Sequence, residues 1–328
     1  MNKIETLNYN VPHTMVLNRF DNNISEMHID IINLIDKDNF YGRISEELRS
    51  KIKNRIKNFK KKDIIEKTEI SRQTLLRILK LKNYWINLGT LFYLCDILKV
   101  GHKNIKENII SIKTKNSFPI SAKYINLNME FARIAGHLLG DGGIHIVKNE
   151  GKYRIFYANK QKSLIKSFYQ DTRVIFPDVK IYVRHREKEQ KVSEVWLPTT
   201  ASIILYSIFN MNNCKMRRVP KFVYDWHESY VGEFLRAIFD DEGYIYPSKN
   251  LIAIALSNNK LLNDVKKLLK NIGINSNPIK LTHNKKRSQM FYFYISGREN
   301  IMKFNEKVGF SHPTKSKKLE MLIFKYGE

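Results

Sequence analysis

The sequence predicts an α+β protein, with two copies of one αββαββα unit in residues 127–328 and a small all-α module before them. Three observations predict it. A repeat begins at FARIAGHLLGDGGIHI (131–146) and again at VGEFLRAIFDDEGYIY (231–246), so that Asp141 and Glu242 stand one repeat length apart. In each copy an apolar run of helical spacing ends in an acid and a glycine. An alternating strand follows at once, through Ile144 and Ile146 or through Tyr244 and Tyr246. The stretch before the repeats shows helical periodicity without strand alternation.

Later elements follow the same order in both copies. The first strands lead to Asn159-Lys160 and the helix SLIKSFYQDTRVIF, and in the second copy to Asn258-Asn259-Lys260 and LLNDVKKLLKNIGI. Further strands lie in VKIYVRHREKEQKVSEVWLP and PIKLTHNKKRSQMFYFYIS, and each copy closes with a helix and a lysine-bearing turn. The copies are expected at 127–225 and 226–328.

Residues 1–50 read as a mostly helical lead-in and 51–110 as three short helices. Ser71 is a good N-cap, and Leu75, Leu76, Ile78 and Leu79 form the stripe of the helix it starts. A third helix runs from Leu88 to Leu98, and 111–126, with Pro119, reads as a linker. The helix, turn and N-capped helix resemble the repressor-type helix-turn-helix family through the pattern I-S-x-x-T-L-x-R-I. That resemblance implies DNA contacts from Arg72, Gln73, Thr74 and Arg77, with Lys60, Lys61 and Lys62 near the phosphate backbone. Packing of this module on the repeats, without base contacts, is the alternative.

Charge points to a polyanion. The chain has 57 Lys+Arg against 32 Asp+Glu, a formal net charge of +25, which repels itself unless a polyanion is the partner. Residues 51–125 carry +13 and 126–328 carry +15, while 1–50 carry −3, so two basic modules follow a nearly neutral start. Hydrophobic residues at 43% exclude wholesale disorder. No apolar run is long enough for a bilayer, no secretory signal is visible, and two cysteines, Cys95 and Cys214, make no disulfide framework. The expected location is the cytoplasm, with no membrane partner.

The two acid helices have a joint chemistry. Ala135, Gly136, Gly140 and Ala237 are small residues at helical spacing, so the helices can pack closely and present Asp141 and Glu242 at one end. Gly142 and Gly243 are expected to take a left-handed turn into the strands. Two carboxylates at helix C-termini suffer the helix dipole and each other, which a divalent cation relieves. Oxygen ligands beside a basic groove suit Mg²⁺, with Mn²⁺ as substitute.

IAGHLLGDG (134–142) and LRAIFDDEG (235–243) resemble the paired LAGLIDADG motifs of homing endonucleases. The resemblance implies a pseudo-twofold core whose saddle-shaped antiparallel sheets lie along DNA, and metal held by Asp141 and Glu242. The earlier motif acid is Asp240 in the second copy and Leu139 in the first, and His137 replaces an apolar residue. The family's basic residue near the end of each copy corresponds to Lys215 in NNCKMRRVPKFV and Lys315 in GFSHPTKSKKLEML. Each is either catalytic or a phosphate-neutralising lysine. Candidate groove residues are Lys148, Lys152, Arg154, Arg184, Arg186, Lys188, Lys191, Lys280, His283, Lys285, Lys286 and Arg287.

The implied activity is site-specific, metal-dependent hydrolysis of both strands of duplex DNA by a monomer, the chemistry of intron homing. Protein-splicing signatures are not expected, since position 1 is not a nucleophile and no terminal His-Asn is present. Two alternatives stay open: a DNA-binding transcriptional regulator built on a retired nuclease, and a maturase binding intron RNA.

Overall fold

A computed structural model describes residues 28–121, 123–147, 152–186, 192–211, 216–282 and 289–327. The N-terminal part contains β1 (His28–Asp30), α1 (Ile31–Leu34), β2 (Phe40–Ile44), α2 (Glu46–Ile56), α3 (Lys61–Thr68), α4 (Arg72–Lys80), β3 (Ile86–Asn87), α5 (Leu88–Ile97), α6 (His102–Glu107), β4 (Ile109–Thr114) and β5 (Tyr124–Asn126). This corrects the all-α expectation. Strands β3-β2-β4 form an antiparallel sheet against which α5 packs; a Cβ at Gly42 of β2 would sit 2.5 Å from Leu88. The strands are two to six residues long, too short for alternation to stand out beside the helices.

α3 and α4 are joined by a tight turn in which Glu69 is left-handed (φ 55°), and the Ser71 hydroxyl accepts the Thr74 amide at 3.0 Å. Leu75 and Ile78 are buried, but Leu76 is 37% exposed and leaves the expected stripe. The buried Arg49 of α2 donates to the Ile78 and Lys82 carbonyls, fixing the end of α4.

The expected linker at 111–126 is largely built into the fold. β4 occupies its start, Ile112 bridges the buried Ile120, and β5 pairs with β1. The Thr200 hydroxyl donates to the Phe118 carbonyl at 3.1 Å and the Thr200 amide to the Ser117 hydroxyl at 3.2 Å, tying this segment to the first repeat. Apolar side chains at 112, 120 and 125 need a core, so the segment cannot stay free.

The first repeat runs α7 (Met129–Leu139), β6 (Gly142–Val147), β7 (Lys152–Asn159), α8 (Lys162–Ile175), β8 (Tyr182–Arg186), β9 (Val192–Trp196) and α9 (Thr199–Phe209). The second runs α10 (Glu228–Glu242), β10 (Gly243–Tyr246), β11 (Leu251–Leu256), α11 (Asn259–Asn271), β12 (Lys280–Thr282), β13 (Met290–Ser296), α12 (Arg298–Lys307) and a final α13 (Pro313–Gly327). Both sheets are antiparallel with one connectivity, β6-β7-β9-β8 and β10-β11-β13-β12. The expected αββαββα order is present twice.

Helices α7 and α10 pack against each other at the junction of the repeats. A Cβ on Gly136 would lie 2.4 Å from the Phe234 carbonyl oxygen and 2.6 Å from Ala237, so only glycine permits this approach. Arg133 of α7 reinforces it, donating to Asp171 of α8 at 2.7 and 2.9 Å and to Glu233 of α10 at 3.2 Å. Gly142 and Gly243 do not take the expected left-handed turn: Gly243 is extended (φ −82°, ψ 158°), and the positive-φ glycines among the described residues are Gly273, Gly297 and Gly309. Lack of room is the reason for glycine there. A Cβ would meet the Leu138 carbonyl oxygen at 2.4 Å or the Phe239 carbonyl oxygen at 2.6 Å.

Gly136→Ala should therefore lower unfolding free energy by about 1–3 kcal/mol, the usual cost of overpacking, measured by denaturant titration; an unchanged midpoint would count against the close helix contact.

Candidate active site

Asp141 and Glu242 emerge at the same end of the α7–α10 pair, each directly before the first strand of its repeat. Asp141 has an exposed surface, yet surrounding protein raises its pKa to about 6, burial contributing most and the Asp241 charge next; Lys315, His137 and Asn159 oppose the rise. Glu242 rises to about 7 through burial, then through Asp141 and Asp241, with Lys315 opposing. Asp241 raises both acids and Asp141 raises Glu242, so the three carboxylates form a shared centre of negative potential.

The helix ends are braced from outside. Lys315, in the first turn of α13, donates through Nζ to the carbonyls of Phe239, Asp240 and Asp241 at 3.0, 2.5 and 3.3 Å. Burial lowers its pKa although Asp240, Asp241, Asp141 and Glu242 pull it upward. Asp240 accepts the Ser311 and His312 amides (2.9–3.2 Å), locking the approach to α13. Burial raises Asp240 to about 6 despite these bonds.

In the first repeat Arg217 takes the corresponding place, its Nη1 donating to the Leu138 and Gly142 carbonyls at 3.1 and 2.9 Å. The sequence singles out Lys215 in the same basic run but does not single out Arg217. The cue was available, because a buried helix end wants a cation for its unpaired carbonyls. Lys215 lies outside the described residues, as do Lys148, Lys188, Lys191, His283, Lys285, Lys286 and Arg287.

A second residue missed was Asp241, whose side chain has no exposed surface. Its Oδ2 lies 3.0 Å from His137 Nδ1, and its Oδ1 accepts the Tyr157 hydroxyl at 2.7 Å and the Asn159 amide at 3.2 Å. Burial would lower the His137 pKa, but Asp241, Asp240 and Asp171 outweigh it and the net shift is upward. The Tyr157 pKa is raised by burial, then by Asp241. The clue was the departure of His137 from an apolar motif position.

The strand registers set Arg154, Phe156, Tyr182, Arg184, Arg186 and Trp196 on the sheet face turned away from the helices, with Lys152 at the same register parity. Phe156 and Trp196 stack at 4.5 Å. Arg154 and Arg184 are exposed, while Arg186 Nε pairs with Glu194 at 2.9 Å. In the second repeat the same face carries Tyr244, Tyr246, Tyr292 and Tyr294, with exposed Lys280 5.9 Å from the Tyr294 ring. In the N-terminal part Arg72, Gln73 and Arg77 are exposed and Thr74 is half-buried.

Among the described residues no group of three or more His, Cys, Asp and Glu side chains could by itself hold a metal. What Asp141 and Glu242 offer is two hard carboxylates, and no described hydrogen-bond donor reaches Glu242. That donor set fits a cation that retains water and takes phosphate oxygens, as Mg²⁺ does. No helix among the described residues is long and apolar enough to cross a membrane.

Fold and site together define a two-repeat α+β protein with one acid per repeat at a pseudo-twofold helix interface. Residues 229–309, in the second repeat, match the family model of the LAGLIDADG-like domain, which supports the resemblance of the paired motifs to that family. Curated relatives include a replication factor C small subunit of Thermococcus kodakarensis, 28% identical over 58% of this chain and 21% of that protein. Another is the replication factor C small subunit of Methanocaldococcus jannaschii, 27% identical over 69% of this chain and 12% of that protein. The chain thus spans about a fifth or less of the length of these relatives. Among solved structures it is similar to the homing endonuclease I-DmoI in complex with DNA and Mn (20% identity, TM-score 0.43, covering 56% of this chain and 97% of that one). It is also similar to full-length DUF199/WhiA from Thermatoga maritima (14% identity, TM-score 0.41, covering 61% of each chain).

The raised pKa values carry a sign. A carboxylate whose folded pKa exceeds its unfolded value binds its proton more tightly in the folded state, so its ionisation weakens the fold as pH rises from about 4 through 6 and 7. With chelator present, Asp141→Asn/Glu242→Gln should melt higher than wild type at pH 8, and the gap should close towards pH 4. Calorimetric melting across that range checks it; a gap independent of pH would show that these acids are not electrostatically strained.

Proposed function

We propose that this chain is a site-specific double-strand DNA endonuclease that hydrolyses phosphodiester bonds with a divalent cation, Mg²⁺ or Mn²⁺. The observation that carries this reading is the placement of Asp141 and Glu242 at one end of the interface, where burial and then neighbouring carboxylates raise both pKa values. The two carboxylates would hold the cation, which when bound supplies Lewis-acid stabilisation of phosphate charge. Asn159 donates to Asp141 at 3.1 Å and fixes its direction. Lys315 and Arg217 keep the helix ends in register beneath the acids. Lys315 would also lend positive charge near the scissile phosphate, as would Lys215.

Each strand would be cut beside one acid, with the duplex held by the outward sheet faces. Arg154, Arg184, Arg186 and Lys280 would contact phosphates or base edges there, joined by Lys148, Lys152, Lys188, Lys285, Lys286 and Arg287. The α3–α4 unit would add a helix-turn-helix contact through Arg72, Gln73, Thr74 and Arg77. A monomer suffices, since both acids belong to one chain.

Asp141→Asn and Glu242→Gln should each abolish double-strand cleavage of a selected target while duplex affinity stays equal or rises, because negative charge beside phosphate is removed. Plasmid linearisation and gel-shift titration measure the two. Retained linearisation in either variant refutes the site, and tight binding without cleavage by wild type would favour a DNA-binding regulator.

Arg72→Ala and Gln73→Ala should each weaken binding by about 1–3 kcal/mol where they touch bases and shorten the footprint on one side. An unaltered footprint would make the N-terminal part a packing element.

A further inference from the structure

The polar cluster around Asp241 breaks the likeness of the repeats: Asp241 lies in the second, and His137, Tyr157 and Asn159 lie in the first. The motif offset sets His137 opposite Ile238 and Gly140 opposite Asp241 in the repeat comparison. In the strands, Gly142 pairs with Tyr157 as Gly243 pairs with Ile254, so Tyr157 corresponds to Ile254 and Asn159 to Leu256. Ile238, Ile254 and Leu256 are buried and apolar. At these symmetry-related positions the interface packs with apolar side chains, so packing alone does not explain the polar cluster on the other side.

Its geometry points at one acid. His137 Nδ1 and the Tyr157 hydroxyl fix the two oxygens of Asp241 (3.0 and 2.7 Å), and His137 lies against Tyr157 with ring centroids 4.7 Å apart. Asn159 Oδ1 accepts the Gln161 amide at 2.9 Å, which sets its Nδ2 towards the acids. That Nδ2 lies 3.2 Å from Asp241 Oδ1 and 3.1 Å from Asp141 Oδ2. The amide therefore bridges a buried, immobile carboxylate and a catalytic one. Among the described residues Glu242 receives no such bond.

We propose that Asp241 is a positioning residue that, clamped by His137 and Tyr157, aims the Asn159 amide at Asp141 and so orients the acid of one repeat alone. Resting on the endonuclease reading, this makes the two strand cuts depend on different parts of the chain. The strand served by Asp141 needs the cluster, and the strand served by Glu242 does not.

The experiment compares wild type, Asn159→Leu and the triple variant His137→Leu/Tyr157→Phe/Asp241→Ala, which removes the imidazole, hydroxyl and carboxylate together so that none is left buried without its partners. Asp141→Asn identifies which strand each acid serves on a duplex labelled separately on its two strands. Cleavage of the Asp141 strand should slow by about 10- to 100-fold in both test variants, the usual effect of losing a group that orients a ligand. The other strand should be cut at the wild-type rate, so nicked duplex accumulates. In chelated protein labelled with ¹⁵N-asparagine, the Asn159 side-chain amide, assigned by its loss in Asn159→Leu, should move in the triple variant towards the position of exposed asparagines.

Equal slowing of both strands, unchanged rates, or an unmoved Asn159 amide would overturn the proposal. Wild-type protein that cuts neither strand would refute the endonuclease reading instead, and the amide spectrum would still decide whether Asp241 positions Asn159.

Discussion

The contact between α7 and α10 is the constraint on which the molecule depends. With the Phe234 carbonyl oxygen 2.4 Å from where a Gly136 Cβ would be, backbone meets backbone, and the two helix ends arrive side by side. Everything chemical about the site follows from that. Asp141 and Glu242 share one patch of negative potential because their helices are held together, and the cations Lys315 and Arg217 brace the buried carbonyls at the helix ends. Each sheet starts from the end of its motif helix, so the outward strand faces are fixed relative to the acids.

The two repeats use this scaffold differently. Their sheets have one connectivity, yet the outward face of the first carries arginines with a stacked Phe156–Trp196 pair, while that of the second carries four tyrosines with Lys280. Guanidinium groups favour bidentate contacts to guanine edges and phosphates. Tyrosines offer an apolar face with one hydroxyl. Under the proposed function, the two halves of a target site would therefore meet different chemistry at these faces.

Much of this was legible in the sequence, for identifiable reasons. Helix-then-strand order repeats at a fixed interval, and the small residues at 136 and 237 mark close helix packing, so the repeats and both acids could be read directly. Asp240 could not be read as a cap for the approach to α13, because Ser311 and His312 lie 71 and 72 residues away and only the fold brings them together. Asp241 looked like one more acid in a run of three, since its partners His137, Tyr157 and Asn159 all come from the other repeat. The N-terminal sheet escaped because β3 is two residues long and β2 includes Gly42. Local periodicity carries no signal at that length. The segment 111–126 looked like a linker by composition, whereas burial of Ile112, Ile120 and Ile125 makes it part of the fold.

The His137–Asp241 pair also bears on which repeat can associate with which. A second-repeat helix facing its own kind would bring Asp241 against another Asp241 with no imidazole between them. A first-repeat helix facing its own kind would bury two imidazoles with no anion. Only the unlike combination satisfies both groups, and in that combination they bond at 3.0 Å. Exchange of repeats between neighbouring chains that mispaired like with like would therefore leave polar groups unpaired inside the interface, so this buried pair would favour the unlike mating.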